Sequence, residues 1–126
     1  MSLLRHVGPV LVAGCLSLLA GCGGNPAQQV ADTVVSQVST AHRTEVVAAL
    51  AGDAQALAGY QASNGTLPAG QAEFAAIPGV ERPGVSVTYT ASGSGWCLVG
   101  TSTAQPPSTV VWTQNGQQPA GVTRCP

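Results

Sequence analysis

Cysteine and histidine are the residues of this 126-residue chain with the most versatile chemistry. It has Cys15, Cys22, Cys97 and Cys125, with His6 and His42. Catalysis needs titratable groups that converge. His42 stands beside Arg43 and three residues before Glu45, so His42 and Glu45 could share one helical face as a weak metal or acid–base site. One histidine is a thin basis for metal binding, and a solvated helix surface is the expectation. The chain has no phosphate loop, no nucleophile-elbow motif and no Cys-x-x-Cys, and no serine is singled out by its neighbours. The expectation is a protein that is not an enzyme, with no catalytic residue, no metal and no cofactor. Trp96 and Trp112 fall on adjacent candidate strands. They would make a ligand or carbohydrate platform if exposed, but the expectation is that they fill a poor core, Trp96 being the more buried.

The cysteines differ in their surroundings. Met1 to His6 carries Arg5 and His6, Val7 to Ala20 is uncharged and mostly apolar, and small residues follow at Ala20 and Gly21. A basic start, an apolar run and a small-residue exit read as an export signal. The run is shorter than the ~20 residues of a transmembrane helix, and Gly8, Pro9 and Gly14 interrupt it. Leu19-Ala20-Gly21-Cys22 resembles the lipobox of bacterial lipoproteins. The resemblance implies cleavage between Gly21 and Cys22 and lipid attachment at the Cys22 thiol, with palmitate-type acyl chains. An ordinary secretory signal followed by an incidental cysteine is the alternative. Val12-Ala13-Gly14-Cys15 also fits the pattern, but it leaves too short an apolar run before the cut, so Cys15 departs with the signal.

With Cys15 removed and Cys22 acylated, Cys97 and Cys125 remain, and export places them in an oxidising compartment where they are expected to form a disulfide. Two free thiols are the alternative. The bond would enclose 27 residues, for which chain entropy gives ~3.5 kcal/mol. Phe74 and Ile77 are the only Phe and Ile of the chain, and a core this poor gains from a staple.

The segment after Gly21 has Arg43, Arg82 and Arg124 against Asp32, Glu45, Asp53, Glu73 and Glu81, a net charge of −2 with no lysine. A weakly acidic chain lacks the basic footprint of nucleic-acid binding. Residues 1–21 are therefore the expected signal peptide, 22–29 the lipidated cysteine and a flexible tether, and 30–126 one domain.

Within that domain no proline interrupts residues 27 to 62, and Val30, Val34, Val38, Val46, Leu50, Leu57 and Tyr60 form an apolar stripe at near-helical spacing. The stripe predicts one long helix, or two with a break near Ser39-Thr40, packed on a sheet. Ser63-Asn64-Gly65 supplies a C-terminal cap and Pro68 prevents continuation. A helical turn is expected near Gln71 to Ala76. Val85, Val87 and Tyr89 then alternate with Ser86, Thr88 and Thr90 as a half-buried strand. Ser92 to Gly95 is a turn, Trp96 to Ser102 a second strand, Gln105 to Ser108 a loop, and Thr109 to Gln114 a third strand ending at the hairpin signal Asn115-Gly116. Helix first and strands after is α+β, with three or four antiparallel strands.

This order resembles the globular head of type IV pilins and pseudopilins over roughly residues 46 to 126. The matching features are Tyr60, Asn64-Gly65 and Pro68 at the helix end, the hairpin GVSVTYTASGSGWCLVG at residues 84 to 100 with its Trp96-Cys97 pair, and a cysteine at the extreme C-terminus. It departs from pilins in lacking an apolar spine: residues 26 to 45 contain Gln28, Gln29, Asp32, Gln37, His42, Arg43 and Glu45, which cannot span a bilayer. The two resemblances together imply a pilin-like head on a lipid anchor in the bacterial cell envelope. Such a protein would face the extracytoplasmic side and hold the membrane through its lipid. Thr103 to Ser108, Ser92 to Gly95 or a sheet edge would be offered to a protein partner. A component of a pilus or secretion assembly, and a small hydrolase or ligand-binding protein, are the alternatives.

Overall fold

The computed structural model describes residues 26–93 and 95–126, so Cys15, Gly21 and Cys22 lie outside the described residues. The order is α1 (Pro26–Asn64), α2 (Gln71–Ala75), β1 (Val85–Ser92), β2 (Gly95–Ser102), β3 (Thr109–Thr113) and β4 (Gly116–Gln117). The strands form one antiparallel meander in the order β1-β2-β3-β4, and α1 packs on it, an α+β fold.

Helix α1 is continuous through Ser39-Thr40. The hydroxyls of Thr33, Thr40 and Thr44 donate to the carbonyls four residues back, which absorbs their competition with the helical backbone. The helix begins at Pro26, so residues 26–29, expected within the tether, are helical. It ends where Asn64-Gly65 predicts: Gly65 takes φ +75° and its N–H donates to the Gln61 carbonyl at 2.8 Å, the left-handed cap.

Only part of the apolar stripe is covered. Val46, Leu50 and Leu57 are fully buried against the sheet, whereas Val30, Val34, Val35 and Val38 are 65, 52, 55 and 37% exposed. The reason is length. At 1.5 Å per residue the 39 residues of α1 run about 58 Å, while an eight-residue strand spans only about 26 Å. The expectation that the whole stripe packs on the sheet is corrected to its C-terminal part.

The register sorts the sheet's two faces. Tyr89 pairs with Leu98 and Leu98 with Trp112, so these share the α1 face with Val85, Val87, Gly100 and Val110. Phe74 of α2 stacks on Tyr89 with ring centroids 5.1 Å apart, and the buried Tyr89 hydroxyl donates to the Pro68 carbonyl at 2.9 Å. On the other face Cys97, Val111 and Thr113 are buried where the C-terminal tail arrives: Cys97 is disulfide-bonded to Cys125, and the Gln118 amide donates to the Thr113 hydroxyl.

Gly100 sets how closely α1 lies on the sheet. A Cβ there would stand 2.8 Å from Val46 Cγ1 and 3.0 Å from Leu50 Cδ2, both fully buried. Gly100→Ala is expected to destabilise the protein by ~1–3 kcal/mol, because overpacking outweighs the smaller gain of ~0.5–1 kcal/mol from a stiffer unfolded chain. Urea denaturation of the two proteins measures the difference.

Candidate functional site

His42 is half-buried on α1, and its Nδ1 lies 3.0 Å from the Pro106 carbonyl. A carbonyl only accepts, so Nδ1 is the donor in this contact. The Ser108 hydroxyl donates to the Ser39 carbonyl at 3.1 Å. These two contacts tie Pro106 and Ser108 of the Thr103–Ser108 loop to α1, while Thr103, Ala104, Gln105 and Pro107 are exposed. Among the described residues no ion pair joins His42 to Glu45, and no group of three or more His, Cys, Asp or Glu is placed to hold a metal ion. Trp96 and Trp112 are both half-buried and pack against the core from the α1 face, so Trp96 is not set apart by deeper burial.

The sheet edge expected to meet a partner is closed along much of β1. The Gln71 side chain mimics a neighbouring strand: its Nε2 donates to the Val87 carbonyl at 3.1 Å, and its Oε1 accepts from the Tyr89 N–H at 2.6 Å. Arg82 bridges back to Val85 below it. The opposite edge strand, β4, is two residues long. Edges managed this way resist strand addition.

The polar group that sequence reasoning missed is Asp53. It continues the buried stripe at Val46, Leu50 and Leu57, and is itself fully buried, with neither carboxylate oxygen hydrogen-bonded. Arg82 is the charge beside it, Nη2 to Oδ1 at 3.7 Å, too long for a hydrogen bond, with 40% of the Arg82 side chain exposed. Its guanidinium lies over Gly52, where a Cβ would collide with it. Burial pushes the Asp53 carboxyl up to about 6 against the opposing pull of Arg82. The signal available in the sequence was a charged residue at an apolar position of the helical stripe.

A carboxyl of that acidity suits a general base, but a base must reach its substrate. Arg82, Gln71, Phe74, Glu81 and Val85 line an open cavity of about 530 Å³, and Asp53 is not part of that lining. A second groove, of about 650 Å³, runs between Tyr60, Ser63, Glu73, Ile77 and Pro78. Glu73 is already engaged there, accepting from the Ala69 N–H at 2.8 Å and from the Tyr60 hydroxyl at 3.4 Å. The remaining feature is the valine face of α1, the largest exposed apolar side chains of the described residues. No family model, no curated protein and no solved structure matches this chain.

Proposed function

We propose that this protein is a bacterial cell-envelope lipoprotein. Acyl chains on Cys22 hold it to the extracytoplasmic face of a membrane, and a pilin-like α+β head acts by contact rather than by catalysis. The observation that carries the reading is Leu19-Ala20-Gly21-Cys22 at the end of an uncharged apolar run that follows Arg5 and His6. One further observation supports it. The Cys97–Cys125 bond suits an exported domain in an oxidising compartment. Two or more acyl chains give stable attachment where one is marginal.

Intact mass spectrometry of the membrane-extracted protein tests this directly. The expected mass begins at Cys22 and carries acyl groups. A mature protein that begins elsewhere or carries no lipid overturns the reading. Cys22→Ser is expected to leave the head folded and shift the protein out of its mature, membrane-anchored form, as fractionation would register. Normally processed, membrane-bound protein in that variant would be equally damaging.

The helix-first order and the Asn64-Gly65 helix end favour a second reading, an accessory subunit of a pilus or secretion assembly. Recovery of such subunits by cross-linking in cells would support it, and a cross-linked pool without them would not.

A further inference from the structure

Among the described residues nothing covers the valine face of α1, and its geometry limits what can cover it. At ~100° per residue, Ala27, Val30, Ala31, Val34, Val35, Val38 and Ala41 fall within an arc of about 140°. Asp32 and Arg43 project from the other side of the helix. The centre of this arc is about 110° around the helix from the face that Val46, Leu50 and Leu57 press on the sheet. The sheet therefore stands to one side of the valine face, and the head meets this side of the helix only past Ala41, where His42 contacts Pro106.

We propose that this face seats on the lipid surface of the membrane that holds the anchor, an inference that rests on acylation of Cys22. Only Gly23, Gly24 and Asn25 separate Cys22 from Pro26, so even fully extended the connection reaches about 14 Å. The first turns of α1 are thereby confined next to the headgroups. The face has no Lys or Arg to draw it to anionic lipid, and a patch this modest would bind weakly from solution. Confinement by the short connection replaces that missing attraction, because the second contact is intramolecular. A second copy of the chain fits less well. The four valines offer on the order of 300 Å² of apolar surface, so two faces together bury about 600 Å², half of the ~1,200 Å² at which stable interfaces begin.

The test uses the full-length acylated protein in phosphatidylethanolamine–phosphatidylglycerol vesicles. An environment-sensitive fluorophore is attached through Val34→Cys or, on the far side of the helix, Ser36→Cys, with Cys97 and Cys125 oxidised. Nitroxide-bearing lipid is expected to quench the label at position 34 roughly threefold more than at 36, as for a face buried 5–10 Å into the interface. Equal quenching at both positions in protein that floats with the vesicles overturns the lipid contact and leaves the anchor standing. A label at 34 that responds to the protein-to-lipid ratio and not to the nitroxide assigns the face to a second copy and also overturns the contact. Protein that fails to float removes the anchor, and the contact falls with it.

Discussion

Replacing Cys97 and Cys125 together by serine is expected to cost about 3.5 kcal/mol of stability, the entropy that the bond removes from the unfolded chain. The two residues are 28 apart in sequence, a loop long enough for the entropic term to be substantial. For a domain of this size that loss lowers the melting temperature by roughly 15–25 °C. The effect should concentrate in the C-terminal tail. Residues 118–126 form no strand, and their described backbone bonds are Gln118 N–H to Val111 and Val122 N–H to Pro119. Chemical denaturation gives the global figure, and hydrogen exchange gives its distribution. A loss under 1 kcal/mol would mean that the tail stays packed over Val111 and Thr113 without the covalent link, and that the bond is not the staple this small core depends on.

The parts of this fold that local chemistry dictates are legible in the sequence. Asn64-Gly65 can only end a helix in the left-handed cap it forms, and Val85 to Thr90 alternates because one face of β1 meets the core. Asn115-Gly116 similarly marks the return of β3 into β4, with Thr113 opposite Gly116. What stayed hidden depends on distances between elements. Periodicity assigns Val30, Val34 and Val38 to a face but says nothing of how far a sheet extends beneath it. Gln71 reads as a polar residue near a helical turn, and only the placement of α2 beside β1 turns its amide into a substitute strand. Ser39-Thr40 reads as a break, yet α1 runs through it, with the Thr40 hydroxyl bonded to the Ser36 carbonyl and the Ser39 carbonyl to the Ser108 hydroxyl. Asp53 is hidden because a charged residue at an apolar position of the stripe does not by itself say whether it is buried, and here it is.

Asp53 should therefore weigh on stability in a pH-dependent way. Its folded-state value of about 6 lies above the ordinary 3.8, so the folded protein holds this proton more tightly than the unfolded chain does. The protonated carboxyl supports the fold fully below about 3.8. That support is lost as pH rises toward 6 and does not change further above it. At pH 7 the ionised group costs on the order of 3 kcal/mol relative to a carboxyl with its ordinary acidity. Arg82 already acts in that balance and does not reverse it, since its guanidinium is part-exposed and makes no hydrogen bond to either oxygen. Asp53→Asn keeps the shape and removes the charge, and the Arg82 it leaves behind can hydrate. The Asn variant is expected to be more stable than the parent by ~1–3 kcal/mol at pH 7.5, with the difference nearly gone at pH 4. Urea denaturation at the two pH values decides it. A variant less stable than its parent at pH 7.5 would mean that attraction to Arg82 outweighs the burial of the charge. In that case Arg82→Gln should destabilise the protein at pH 7.5 and spare it at pH 4, where Asp53 is already protonated.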